Sequence, residues 1–169
     1  MITNLEQFYQ NAKIVMEKLD IFFEQTDLVS VVRADHICFK CESSEEFERM
    51  RALFENNSSY ILQSIISKRR IAIVKLQTQI ETVCGPISVL ELSDQKPDNS
   101  QKSGFEHIEI YPIKNSIEEI VKIIQDKGIA VEKESKPHHT TWDFVADGFK
   151  IRIEPEALVE KIKREEMVA

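Results

Sequence analysis

Residues 4–25, NLEQFYQNAKIVMEKLDIFFEQ, set Leu5, Phe8, Ile14, Leu19, Phe22 and Phe23 at largely helical spacings behind an asparagine suited to an N-cap. That pattern predicts an amphipathic opening helix. From residue 33 the period changes to two. RADHICFKC places Ile37 and Phe39 on one face and His36, Cys38 and Lys40 on the other, as a half-buried strand does. SSEEFERMRALFEN follows with a serine cap, early glutamates and an apolar stripe of Phe47, Met50, Leu53 and Phe54, the marks of a helix packed on a sheet. YILQSII, RRIAIVKL and GPISVLEL then read as three strands. Residues 33–97 therefore predict one βαβββ module.

After the polar link SDQKPDNSQKSG the same order recurs. FEHIEIY alternates, NSIEEIVKIIQDKG has a helix's cap and terminal glycine, and strands follow near IAVEKES, TTWDFVAD and FKIRIEP. EALVEKIKREE predicts a short closing helix. The expected fold is α+β: paired βαβββ modules forming a curved, partly open, barrel-like sheet with an added N-terminal helix. Residues 1–169 are expected to form a single domain, made of a helical segment (1–32), a first module (33–97) and a second module with the tail (98–169).

With 42% hydrophobic and 30% charged residues, the chain has the balance of an ordinary globular protein, long enough for one core. A net charge of -7 opposes the phosphate backbone, so no nucleic-acid partner is expected. MITNLEQFYQ lacks a basic segment followed by an apolar run, and no stretch approaches a membrane span. A cytoplasmic protein that does not enter membranes is expected. Cys38 and Cys41 form a lone C-x-x-C; residues three apart on a strand point to opposite faces, so reduced thiols are expected there rather than a zinc or redox pair.

Candidate chemistry sharpens the repeat. His36 and His107 lie in the opening strands of the two modules, at positions that differ by 71, and Glu91 and Glu154 lie at the ends of the closing strands, at positions that differ by 63. Each histidine points opposite to the apolar residues beside it, as do both glutamates, so all four can share one sheet face. Two imidazoles and two carboxylates suit a divalent ion such as Zn, Ni, Fe, Co or Mn, with positions left for water or substrate. Lys40 shares a face with His36, and Lys150 and Arg152 share one with Glu154, so these three are candidate contacts for an anionic substrate. Glu109, two residues after His107, and Glu154 are candidate proton-transfer groups. His138 and His139 occupy a turn-like stretch and read first as ordinary exposed histidines, with a lid over the pocket as the functional alternative, and Trp142 suits the core. Glycine-rich phosphate loops and the G-x-S-x-G elbow are absent from the sequence.

The pairing of βαβββ modules with histidines on their first strands resembles the vicinal oxygen chelate superfamily. Within it, ADHI at 34–37, RRIAIVKL at 69–76, VLEL at 89–92, GFEHIEI at 104–110 and DGFKIRIEP at 147–155 are similar to the YecM family, over roughly residues 30 to 160. The resemblance implies metal binding at His36 and His107, with Glu91 and Glu154. It implies a cleft for a small ligand and does not define a reaction. Two functions are expected on that basis: a metal-dependent enzyme of the isomerase, lyase or dioxygenase class acting on a substrate with vicinal oxygens, or a module that binds a metal or small ligand without turnover. An interaction domain without metal is the third reading. Either a monomer or a homodimer is compatible, because both modules lie in one chain.

Overall fold

A computed structural model describes residues 2–135 and 140–168, with side chains as far as residue 164. His138 and His139 lie outside the described residues. The chain opens with α1 (Leu5–Gln25), whose N-terminus is capped by the Asn4 side chain accepting from the Gln7 amide. The first module runs β1 (Val32–Lys40), α2 (Ser44–Glu55), β2 (Ser58–Ile66), β3 (Arg69–Ile80) and β4 (Ile87–Ser93). The second repeats the order as β5 (Gly104–Pro112), α3 (Ile117–Asp126), β6 (Glu132–Ser135), β7 (Thr140–Ala146) and β8 (Phe149–Ile153), and α4 (Leu158–Val168) closes the chain. Both module helices start on a serine. Ser43 caps α2, and Ser116 forms a reciprocal capping box with Glu119 at α3.

All eight strands join one open mixed sheet in the order β2-β3-β4-β1-β5-β8-β7-β6. The order reads the same from either edge when the modules are exchanged. β1 and β5 pair antiparallel at the centre, and each pairs in parallel with the last strand of its own module, β1 with β4 and β5 with β8. This is the paired-module architecture of the vicinal oxygen chelate fold.

One sheet face carries Ile37, Phe39, Leu90, Leu92, Ile108, Ile110, Ile151 and Ile153, all buried in a core with residues of α1, α2 and α3. Phe8, Phe23, Phe47 and Phe54 are each fully buried there, and each contributes about 1.5–3 kcal/mol of transfer free energy. The α1 stripe is shifted from the one expected: Ala12 and Met16 face the core, and Ile14 is 56% exposed. The opposite face is polar at its centre. Toward the first module it is covered by α4, whose Leu158, Val159 and Ile162 pack on Ile71, Ile73 and Val89. Trp142 packs against the main core, as expected, with the Lys133 ammonium over its ring.

Candidate metal centre

The polar face is built around two breaks in the β1–β5 ladder. Pairing steps from Ala34 opposite Ile110 to His36 opposite Glu109, passing over Asp35, and from Cys38 opposite His107 to Phe39 opposite Phe105, passing over Glu106. Each residue passed over is a bulge immediately before a histidine. In a regular strand neighbours point to opposite faces; a bulge re-aims one of them. Asp35 Oδ2 consequently lies 2.8 Å from His36 Nδ1, and Glu106 makes the same contact with His107 Nδ1. A carboxylate only accepts, so in both rings Nδ1–H donates and Nε2 faces inward. Asp35 Oδ2 also accepts from the Leu158 amide at 2.9 Å, tying His36 to the first turn of α4.

Both inward Nε2 atoms are buried without a hydrogen-bond partner. The ring centroids stand 6.3 Å apart. His36 Nε2 is 3.7 Å from oxygens of both Glu91 and Glu109, and His107 Nε2 is 3.4 Å from Glu109 Oε1. One donor atom from each of His36, Glu91 and His107 lies within 4.8 Å of the other two. Cys38 donates its thiol to Glu91 at 3.4 Å, while Cys41 sits in the apolar core. All three cysteines are free and buried, as expected of reduced thiols.

The arrangement fits a metal ion. Two buried ring nitrogens without hydrogen-bond partners are costly unless something engages them, and each ring is oriented from behind by a carboxylate, as metal-binding histidines usually are. Donor atoms of His36, His107 and Glu91 converge, and Glu109 stands beside them. Glu154 does not join them: no group of three donors within that distance, among the described residues, includes it.

The register explains why. Glu91 lies opposite Cys38, and Arg152 lies opposite Glu109, while positions 38 and 109 differ by the same 71 that relates the histidines. The internal counterpart of Glu91 is therefore Arg152. Glu154 lies just past the end of β8, its amide donating to Ile110 O, and is 8% exposed. Counting from strand ends had matched it with Glu91; ladder partners are what fix equivalence in a sheet.

Electrostatics separate the acidic groups. Burial lowers the pKa of His36, but the charges of Glu109, Asp35 and Glu91 outweigh it and hold the imidazole well above its ordinary value. His107 is also raised, with Glu106 and Glu109 overcoming desolvation. Burial raises Glu109, yet His36, His107 and Arg152 bring it down to about 2. Glu91 and Glu106 are likewise lowered, because their histidine neighbours overcome burial. Glu154 goes the other way: burial and the Glu109 charge raise it to about 7.

The site opens into a pocket of about 530 Å³ that reaches Glu91, Glu106 and His107. All three expected substrate cations line it, but each is already engaged. Lys40 and Lys150 lie 2.8 and 3.1 Å from Glu106 Oε1, and Arg152 grips Asp143 through two 2.8 Å bonds. Asp35, Glu106 and Asp143 did not figure among the sequence candidates. The signal for two of them was present: an acidic residue directly before each histidine, repeated at the same offset.

A family profile described as YecM protein matches residues 1–165. The chain belongs to the YecM family. Protein YecM of Escherichia coli (strain K12) is 29% identical over 82 residues, which is 48% of this chain and 44% of that protein. The aligned stretch thus spans less than half of that YecM relative's length. A solved structure titled Protein EC4020 superposes with a TM-score of 0.68 at 21% identity, covering 92% of this chain and 91% of its own, so the two share a fold. An extradiol ring-cleaving dioxygenase from B. fuscum aligns over 75% of this YecM-family chain and 33% of its own, with a TM-score of 0.46 and 9% identity.

Proposed function

We propose that this YecM-family protein binds a divalent metal ion through His36, His107 and Glu91, with Glu109 as an adjacent oxygen donor, and acts on a small molecule with vicinal oxygens. The observation that carries the proposal is the pair of buried, unpartnered Nε2 atoms turned toward one another, each with a carboxylate behind its ring. Such an ion, when bound, supplies Lewis acidity toward substrate oxygens.

The chain's own residues divide the remaining work. Glu109, held near 2, stays ionised and offsets positive charge. Glu154, raised to about 7, exchanges a proton readily near neutral pH and is the better proton-transfer group of the two. Arg152 bridges Glu109 and Asp143 and fixes the Glu109 carboxylate in place. Lys40 and Lys150 hold Glu106, and thereby the orientation of His107.

The test is metal reconstitution of the purified chain with zinc, manganese and iron(II) under reducing conditions, followed by elemental analysis. One ion per chain is expected, falling below a tenth of that in a His36→Ala, His107→Ala double variant with retained secondary structure. A chain that takes up none of these ions stoichiometrically refutes the proposal. Turnover of α-hydroxycarbonyl or catechol probes by the loaded protein then separates an enzyme from a sequestering module.

A further inference from the structure

The pocket beside the metal centre is basic in a chain of net charge -7. Its wall holds six cations, Lys40, Lys68, Arg69, Lys96, Lys150 and Arg152, against three carboxylates, Glu91, Asp98 and Glu106. The inner cations are paired: Lys40 and Lys150 share Glu106, and Arg152 pairs with Asp143. The outer cations are not. Among the described residues, Lys68, Arg69 and Lys96 lie within 4 Å of no carboxylate; Arg69 Nη1 donates only to the Gln101 amide oxygen at 3.0 Å, and its Nε is buried with no hydrogen-bond partner.

These three come from separate parts of the chain brought to one mouth, Arg69 being the first residue of β3. Ser67 and Lys68 form the tight turn between β2 and β3, both with positive φ (52° and 63°), and Lys96 stands in the loop after β4. A second hollow of about 310 Å³ continues from the same mouth, sharing Lys40, Lys96 and Glu106 and adding Lys102. Asp98, two residues from Lys96 in the same wall, answers only part of this positive charge; the remaining like charges repel, and a multiply charged anion between them removes the repulsion. Lysine ammoniums are compact point charges, and an arginine offers a planar fork; together they suit the several oxygens of a phosphate dianion.

We infer that the pocket takes a small phosphate monoester, its phosphate seated between Lys68, Arg69 and Lys96 and its other end directed at the metal centre. This names the substrate class for the function proposed above and rests on that reading only for the direction of the inner end. The phosphate seat is complete without metal.

The test uses the chelator-treated full chain and calorimetric titration at constant ionic strength with 2-phosphoglycolate, glycolate and inorganic phosphate. In the chelator-treated chain phosphoglycolate and inorganic phosphate are each expected to bind at least tenfold more tightly than glycolate, and zinc loading is expected to tighten phosphoglycolate at least tenfold relative to inorganic phosphate. A Lys68→Ala, Lys96→Ala double variant, both positions being exposed, is expected to lose at least tenfold of the metal-free phosphoglycolate affinity while keeping the wild-type zinc stoichiometry. Glycolate binding as tightly as phosphoglycolate overturns the phosphate seat, and so does an unchanged affinity in the double variant. A zinc-loaded chain that binds inorganic phosphate as tightly as phosphoglycolate overturns the ester assignment. Zinc stoichiometry, read on the same preparation, reports separately on the metal proposal.

Discussion

Asp35→Ala probes the device on which the proposed metal centre depends. The Asp35 carboxylate is 9% exposed and does two jobs with one oxygen, accepting from His36 Nδ1 at 2.8 Å and from the Leu158 amide at 2.9 Å. Alanine frees the His36 ring to rotate or change tautomer, so Nε2 no longer stays aimed at the centre. Loss of such a supporting carboxylate costs about 10–100-fold in metal affinity, or roughly 1.4–2.8 kcal/mol. The same substitution orphans an amide at the start of α4, at a further cost of about 1.5–3 kcal/mol in folding stability for a hydrogen bond to a charged acceptor. Asp35→Asn separates charge from geometry. Its amide oxygen can still accept both hydrogen bonds, so its zinc affinity should fall less than about tenfold.

The measurement is competition of zinc against a chromophoric chelator at fixed pH, with the imidazole tautomers followed by long-range ¹H–¹⁵N correlation. The expected order of affinity is wild type, then D35N, then D35A, with the wild-type His36 resonances showing the proton on Nδ1. Wild-type zinc affinity in D35A refutes the reasoning outright. Equal losses in D35N and D35A show that charge alone matters and that the ring needs no orienting partner.

Two further predictions concern pH. His36 and His107 both titrate above their ordinary value in the metal-free protein, so metal must displace their protons. Zinc affinity should therefore fall by about tenfold per pH unit for each proton displaced as pH drops below those values, and a flat profile between pH 5 and 7 excludes the histidines as ligands. Glu154 has a folded pKa of about 7 against an unfolded 4.5. The native state therefore binds more protons than the unfolded state across that window, and stability is lost as pH rises through it. Glu154→Gln should leave stability at pH 4 nearly unchanged and exceed wild type above pH 7 by up to about 3 kcal/mol; urea melts of the metal-free proteins across pH 4–8 check this, and a gap that does not widen with pH contradicts it.

Much of this was legible from alternation and capping. Ile37, Phe39, Ile108 and Ile110 reach the core and the histidines face away from it, because parity along a regular strand fixes both. Asn4, Ser43 and Ser116 begin their helices as side-chain chemistry requires. What period-two reasoning misses is where the period fails. Asp35 and Glu106 should point away from their histidines in an unbroken strand, and only the bulges turn them back. Register was the second gap: sequence spacing matched Glu91 with Glu154, and the ladders match it with Arg152. The pocket mouth was the third, since Lys68 and Lys96 lie in different loops and nothing local to either stretch signals that they meet.

The two modules agree where the proposed metal centre needs agreement and differ where a bound ligand would need direction. A histidine preceded by a bulged acid occurs in each central strand, so the two inward nitrogens come from one repeated construction. A site built entirely by repetition would present the same surroundings on both sides and could not distinguish the ends of a ligand. Here the symmetry breaks at Glu91 and Arg152, which put a carboxylate on one side and a guanidinium on the other. It breaks again at α4, which covers Ile71, Ile73 and Val89 of the first module, while the second module's Lys150 and Arg152 remain in the pocket wall. The pocket thus has an inner end of paired charges at the proposed metal centre and an outer end where cations outnumber carboxylates. That polarity is the physical reason to expect a ligand with two chemically different ends, oxygens at one and a strong anion at the other.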